Sequence, residues 1–151
     1  MHLRWILSAL IFLCGCTVQV QSYIKSDHPY ARKLYGNYDK IVLIIKEVLA
    51  QNKYKILSET HPSVYERSSD ENKETPEDLL LFTDIKQHPM LLYSSYTHLN
   101  IFIHAETDGA QVELRYGKTT SFLVKQINST RNDKLANRLL DQMEQELLET
   151  K

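Results

Sequence analysis

The residues with the most distinctive chemistry are Cys14 and Cys16, the only two cysteines in the chain. A thiol can be oxidised to a disulfide, can ligate a metal as a thiolate, or can act as a nucleophile that takes up another group. The spacing of these two cysteines is not the C-x-x-C spacing of zinc and redox motifs. The residues in front of Cys16 must therefore indicate which reaction applies.

Residues 1–16 have the order of an export signal: Arg4 supplies a positive charge, residues 5–13 are apolar, and a small residue precedes Cys16. Nine apolar residues are too few for a membrane-spanning helix, which needs about 20. The closing sequence Leu13-Cys14-Gly15-Cys16 resembles the lipobox of bacterial lipoproteins, a resemblance that covers about a tenth of the chain. The alternative is an ordinary secretory signal that is cleaved nearby and leaves Cys16 as a free thiol.

The lipobox resemblance implies that Cys16 is diacylated and becomes the first residue of the mature protein. Two or more acyl chains, such as palmitate, hold a protein durably on a membrane, whereas one chain binds only marginally. In Gram-negative lipoproteins, an aspartate directly after the acylated cysteine resembles a signal for retention in the inner membrane. This chain has Thr17 at that position, and the absence of the aspartate favours the outer membrane. We therefore expect a lipid anchor at Cys16 in the outer membrane, with the domain facing the periplasm.

Composition limits what such a domain can be. Without the first fifteen residues, 136 residues remain, which suffice for one domain but hardly for two. They include 17 lysines and arginines against 19 aspartates and glutamates, and this acidic excess argues against nucleic-acid binding. If Cys14 leaves with the signal and Cys16 is acylated, no disulfide can form, so the core alone must hold the fold.

The remaining side chains show no pattern that predicts an active site. His28, His61 and His88 each precede a proline, which favours extended or turn geometry. His98 and His104 share one face of a predicted strand but lie about 20 Å apart, too far to share a metal, and we expect both to be solvated. No phosphate-binding loop or nucleophile elbow occurs. We therefore predict no catalytic residue, cofactor or metal ligand, and no enzyme.

Two segments have apolar residues at helical spacing. After Asn37 such residues recur at steps of three and four, which predicts a helix that is capped by Asn37 and ends near Asn52. Thr130 with Asp133 resembles a capping box, and the leucine stripe after it predicts a second helix almost to Lys151.

Alternating apolar and polar residues predict a hairpin around Asp108-Gly109, with strands over 99–106 and 111–116. One face of this sheet is apolar and the other polar apart from Phe102, so we expect an antiparallel sheet covered on one side. Residues 119–127 fit either a last strand or the start of a helix. Further strands are predicted at 54–58, 79–85 and, less regularly, 90–96.

These elements predict an α+β fold with two layers: an antiparallel sheet of three to five strands and two amphipathic helices packed on one face. The domain division is a signal peptide at 1–15, a lipidated N-terminus and tether at 16–36, and a single domain at 37–151. Residues 62–78 are acidic and aperiodic, which predicts a long disordered loop in that domain.

For function, the sequence favours a membrane-anchored accessory or assembly factor that binds another protein of the cell envelope. Its outline weakly resembles small outer-membrane accessory lipoproteins, without any shared residue motif. The predicted contact residues are Phe102, His104 and Arg115 on the polar face of the hairpin, and the tyrosines Tyr35 and Tyr38. Tyrosines bring large contact area with a polar tip, although they also cover core edges.

Two other functions stay open. A domain that binds a small molecule or lipid would have a cavity between sheet and helices, lined by Ile41, Ile45, Ile101 and Leu114. Hydrolysis of an envelope polymer would require two or more titratable side chains that converge in a cleft.

Overall fold

A computed structural model describes residues 19–25, 28–66, 77–122 and 125–150. Within these ranges the chain forms seven strands and two α-helices, which confirms the α+β prediction but not the count of three to five strands. The strands are β1 (Tyr30–Tyr35), β2 (Ile56–Thr60), β3 (Leu79–Thr83), β4 (Lys86–Pro89), β5 (Ser94–Glu106), β6 (Gly109–Phe122) and β7 (Lys125–Ser129); the helices are α1 (Tyr38–Gln51) and α2 (Asp133–Glu149).

The central element is the antiparallel hairpin of β5 and β6. Its register runs from Glu106 opposite Gly109 at the turn to Ser94 opposite Ser121 at the far end. The predicted hairpin is confirmed, and its strands extend beyond the predicted bounds at the far end. Residues 119–122 end β6 and residues 125–127 start β7, so these described residues form strand and not the start of a helix.

Each long strand is flanked by two short ones. β1 and β7 pair with successive parts of β6, β3 and β4 pair with successive parts of β5, and β2 pairs with β3. β4 (KQHP) and β7 (KQINS) are short and mostly polar, so they lack the apolar alternation that identifies a strand in sequence. They form because the extended hairpin offers them unpaired backbone groups.

The first strand lies within the residues predicted as a tether. All six residues of β1 pair with β6, and Leu34 is fully buried. We name residues 19–25 the strap, because they also pack on the sheet: Ile24 is buried, and its N–H donates to Asn100 Oδ1 over 2.7 Å. The predicted boundary at residue 37 is therefore wrong, and the described part of the domain includes the strap.

Both helices have side-chain caps at their N-termini. Asn37 accepts from the N–H of Lys40, which confirms the predicted cap of α1. α2 is capped by Asn132, which accepts from the N–H of Leu135, and not by Thr130. Asn132 stands directly before the first helical residue, where an N-cap must lie.

One apolar core joins the helices to one face of the sheet, and burial of each of its large side chains contributes about 1.5–3 kcal/mol. Among its fully buried members are Leu99, Ile101 and Ile103 of β5, Val112 and Leu114 of β6, Ile41 and Ile45 of α1, and Leu139 and Met143 of α2. The alternate residues of β5 and β6 therefore lie on the opposite, helix-free face of the sheet.

The helix-free face is also covered, contrary to the one-sided sheet that was predicted. Leu80, Phe82 and Phe102 form a second buried cluster, with Tyr23 of the strap packed against it. Residues 61–66, which we name the cover segment, add the ring of Tyr65, whose centroid lies 5.1 Å from that of Phe82. Two segments distant in sequence thus cover this face.

Some predictions fall outside the described residues. These are the signal peptide at 1–15, the lipidated Cys16 and residues 67–76 of the acidic loop. The remainder of that loop is described: Pro62–Val64 forms a 3-10 turn, and Glu66 and Asp78 bond to groups on the sheet.

Candidate functional site

Two of the predicted contact residues on the hairpin are buried. Phe102 is 1% exposed and Arg115 is 6% exposed. Both lie on the helix-free face, as the alternation predicted, but the strap and the cover segment lie over them. The prediction that they form an exposed contact surface is therefore wrong, because local periodicity assigns a face and not what covers it.

Arg115 joins the sheet to both covering segments. Its guanidinium carbon lies 3.9 Å from the centroid of the Phe102 ring. The guanidinium donates to both carboxylate oxygens of Glu66, over 2.7 and 3.2 Å. It also donates to the Tyr23 hydroxyl over 3.0 Å and to the Ile24 carbonyl over 3.3 Å. We name this group the arginine clamp, since one side chain holds residues of the strap and of the cover segment.

The charge of Arg115 is paired with two carboxylates, those of Glu66 and Glu113. The hydrogen bond from Arg115 lowers the pKa of Glu66 despite its partial burial. Burial, together with a hydrogen bond to Glu66, raises the pKa of Tyr23 to about 12, so the phenol stays protonated. Glu113, beside Arg115 on β6, accepts from its Nε. The clamp's donors are thus directed at protein partners, which is the arrangement of a structural element.

His104 remains partly exposed. Its Nδ1 lies 3.3 Å from Asp78 Oδ2, and its ring stacks on Phe102 with the centroids 6.3 Å apart. Asp78 itself accepts from the N–H of Ala105 over 2.9 Å. This aspartate therefore fixes the edge of β5 and orients the imidazole, while the imidazole keeps a surface open to solvent.

The two predicted tyrosines differ in exposure. Tyr35 is 59% exposed, and the ammonium of Lys33 lies 5.1 Å from its ring centroid. Lys33 is in turn paired with Glu106 and Asp108, at 2.7 Å each. Tyr38 is half-buried, its hydroxyl donates to the Glu77 carbonyl, and burial raises its pKa to about 12. Tyr35 can thus contact a partner, whereas Tyr38 mainly closes the core edge.

The register places Tyr35 and His104 on one surface. His104 and Lys33 are both opposite Gln111, and Glu106 and Tyr35 are both opposite Gly109. Residues opposite one another in a sheet point to the same face, so these side chains form two adjacent rows at the turn of the hairpin. We name this region the turn-end surface; it consists of Lys33, Tyr35, His104, Glu106 and Gln111.

His98 is buried, contrary to the prediction that it is solvated. It is 4% exposed, and neither ring nitrogen has a hydrogen-bond partner among the described residues. Burial lowers its pKa, so the ring is neutral at pH 7; the backbone of Gln21 faces it and opposes that shift without reaching hydrogen-bond geometry. The ring lines a polar cavity of about 290 Å³ between the strap and β6–β7, together with Lys118 and Asn128.

A group of exposed apolar side chains was missed by the sequence analysis. Residues 90–93 (MLLY) form the turn between β4 and β5, and all four are exposed. Phe122, also exposed, follows Ser121, which is paired with Ser94 at the start of β5. We name residues 90–93 and Phe122 the apolar tip. The signal was present in the sequence, because Pro89 and Ser94 bracket four consecutive apolar residues without alternation.

The described residues contain no group of three or more histidines, cysteines or acids placed to hold a metal ion. In the same part of the chain, neither helix has the length and hydropathy to cross a bilayer. No protein-family model matches this sequence, and no curated protein is significantly similar to it.

Proposed function

We propose that this protein is an outer-membrane lipoprotein, anchored through Cys16 with its domain in the periplasm, that acts as an accessory or assembly factor by binding another envelope protein. In this proposal it acts without catalysis, and its two layers, helices on one face of the sheet, serve as a rigid support. The anchor rests on the lipobox resemblance, and the binding role rests on the turn-end surface.

The observation that carries the binding role is that Tyr35 and His104 lie in adjacent rows of the turn-end surface. Tyr35 brings an exposed ring, and His104 a partly exposed one. Gly109 stands between Glu106 and Tyr35 without a side chain, and the Lys33–Glu106 ion pair lies in the same region. Aromatic rings with polar tips are enriched at protein interfaces.

The turn-end surface is also held in place before a partner arrives. Lys33 is fixed by two carboxylates and lies near the Tyr35 ring, and Asp78 orients His104. Side chains that are already ordered lose less conformational entropy on binding. This preorganisation supports a recognition role for the turn-end surface, in place of the buried residues Phe102 and Arg115.

Site-specific photocrosslinking in intact cells tests this role. Benzoylphenylalanine at Tyr35 should form a crosslink to one envelope protein, whereas the same group at Leu43, equally exposed on α1, should not. Lys33→Ala should weaken that crosslink, because it removes the charge that orders the Tyr35 side chain. Equal crosslinking from both positions, or none from either, would contradict the turn-end surface as the binding site.

The anchor is tested separately. Cys16→Ser removes the thiol that the lipid would modify, so the protein should leave the membrane fraction, and metabolic labelling with a clickable palmitate analogue should be lost. Label that persists in the Cys16→Ser protein, or its absence from the wild-type protein, would refute lipidation at this residue.

A second candidate function is the binding of a small polar molecule, favoured by the cavity beside His98. The core cavity predicted from the sequence is not supported, because its four lining residues are fully buried and have no water-accessible surface: Ile41, Ile45, Ile101 and Leu114. The cavity of about 290 Å³ under the strap has polar walls instead, at the lower end of the ligand-site range. Native mass spectrometry of gently purified protein would detect a retained ligand, and a bare protein mass would contradict this function.

A further inference from the structure

The apolar tip exposes more hydrophobic surface than any ordinary turn requires. Leu91 is 99% exposed, and Met90 and Leu92 are each more than half exposed. The turn itself is held by a hydrogen bond from the Met90 N–H to the Tyr93 carbonyl, over 2.8 Å. Exposure of large apolar side chains to water is unfavourable in free energy, so binding to a partner that buries them is favoured.

Phe122 extends this surface across the sheet. Ser94 of β5 is opposite Ser121 of β6, so Tyr93 and Phe122 each lie one residue beyond that pair, at the same end of the hairpin. Adjacent strands are separated by about 4.8 Å. The exposed ring of Phe122 is therefore a direct neighbour of the 90–93 turn, and the apolar tip spans two adjacent strands.

Charge around the apolar tip has one sign. The sequence segments on either side of it, 85–98 and 117–129, contain three lysines and no aspartate or glutamate. The lysines are Lys86, Lys118 and Lys125. Lys86 donates to the Asn52 carbonyl over 3.0 Å and lies over the Tyr54 ring, so Lys118 and Lys125 are the two whose charges are left for a partner. At the opposite end of the hairpin the acids Glu106 and Asp108 flank the turn. We name these lysines the lysine collar. An apolar tip flanked by lysines is complementary to a membrane with anionic headgroups, and such a membrane repels the acidic end of the hairpin.

The position of the chain's N-terminal part agrees with this orientation. Gln19 lines the same cavity as Thr119 and Gln126, so the strap starts beside the half of the sheet that ends in the apolar tip. Cys16 precedes Gln19 by three positions, a distance of at most about 10 Å along the chain. Thr119 precedes Phe122 by three residues, which is also about 10 Å along a strand. A lipid on Cys16 can thus reach the level of the apolar tip.

We propose that the apolar tip inserts into the lipid surface that holds the Cys16 anchor, so that the β5–β6 hairpin stands on the membrane and presents the turn-end surface to the periplasm. The inference rests on the anchor in the proposed function and adds a second, protein-based membrane contact. Thirteen residues of β5 at about 3.3 Å each place the turn-end surface roughly 40 Å from the bilayer.

Tryptophan fluorescence provides the test, because the only tryptophan, Trp5, precedes the predicted cleavage site. In a Trp5→Phe background, the intact protein carrying Leu91→Trp is reconstituted into vesicles of phosphatidylethanolamine and phosphatidylglycerol with brominated acyl chains. Its emission should shift to shorter wavelength and be quenched. Tyr35→Trp, in the same background, is the matched control at the opposite end, and its emission should remain that of a solvated ring.

The charge argument has its own variant. Lys125→Glu, added to Leu91→Trp, reverses one charge of the lysine collar and should reduce the inserted fraction about fivefold or more in vesicles with phosphatidylglycerol. In vesicles of neutral lipid alone it should have a much smaller effect. Equal effects in both lipids would overturn the claim that the lysines favour an anionic surface.

Vesicle flotation separates failure of insertion from failure of the anchor. Protein that floats with the vesicles while position 91 is no more quenched than position 35 overturns insertion and leaves the anchor intact. Protein that stays with the soluble fraction overturns both. If the reporter at position 91 is solvated in pure lipid vesicles but shielded in native envelope membranes, the apolar tip binds a membrane protein, and the proposed lipid contact is wrong.

Discussion

Replacing Arg115 by methionine tests whether buried charge holds the helix-free face together. Methionine keeps an unbranched side chain that can still cover the Phe102 ring, but it removes every hydrogen bond that the guanidinium of the arginine clamp donates. The Glu66 carboxylate then loses both of its bonds to the guanidinium, and Glu113 loses the partner of its Oε1 atom.

The expected cost follows from the exposure of these carboxylates. Removing one member of a buried ion pair typically costs about 3–5 kcal/mol, because the other charge stays buried. The Glu66 side chain is 41% exposed and can turn into water, whereas that of Glu113 is only 18% exposed. We therefore expect a loss near the lower end of that range, about 3 kcal/mol of unfolding free energy.

Urea unfolding of the purified protein, followed by circular dichroism, measures this loss at constant m value. Arg32→Met is the matched control, since Arg32 pairs with Asp141 and Glu144 at the surface and should cost at most about 1 kcal/mol. Trypsin cleavage after Lys25 gives a local readout. It should become faster in Arg115→Met, because the strap is released, and should not change in Arg32→Met.

The reasoning would be refuted if Arg115→Met and Arg32→Met cost the same. Such a result would mean that Arg115 is solvated in solution and that the strap and the cover segment do not enclose it. Unchanged trypsin cleavage together with a large stability loss would mean that the strap is held mainly by the burial of Ile24, and the clamp would then act only on the cover segment.

Three further predictions concern single positions. Gly109→Ala should cost roughly 3 kcal/mol, because its β-carbon would lie 1.9 Å from the Leu34 carbonyl oxygen, whereas Thr107→Ala in the same turn should be nearly neutral in urea unfolding. The pKa of Glu66 is lowered by its bonds to arginine, so its stabilising contribution is complete above pH 4.5 and is lost on acidification; Glu66→Gln should flatten the stability profile below that pH. The pKa of His98 is lowered from 6.5 by burial, so the unfolded chain takes up the proton first and stability should fall as the pH drops below 6.5, an effect that His98→Leu should abolish.

Elements with strong local signals were predictable. The asparagine cap and apolar period of α1 set its start and end almost to the residue, since a helix is stabilised by contacts three and four residues apart. The hairpin of β5 and β6 was predictable for the same reason, because its strands alternate and a short turn joins them. Each of these signals lies within one short stretch of sequence.

Elements that depend on distant partners were not predictable. β4 and β7 carry no apolar alternation, and they are strands only because β5 and β6 extend beyond β3 and β1 and leave backbone groups to be paired. β1 was assigned to the tether because its stretch of sequence is polar with scattered tyrosines and has no sustained period; in the structure only Leu34 of its six residues is fully buried. The apolar tip was visible as four apolar residues, but its exposure depends on where the sheet ends.

The sequence by itself determined the α+β class, the two helices, the central hairpin, and the face on which each residue of that hairpin lies, because all of these follow from contacts between near neighbours in the chain. Tertiary structure alone decided what covers each face. Phe102, Arg115 and His98 alternate as exposed residues would, yet they are buried, since the strap and the cover segment arrive from more than 30 residues away in the chain. Exposure is a property of the whole packing, and for that reason the predicted contact residues that remain in the candidate surface are Tyr35 and His104, without Phe102 and Arg115.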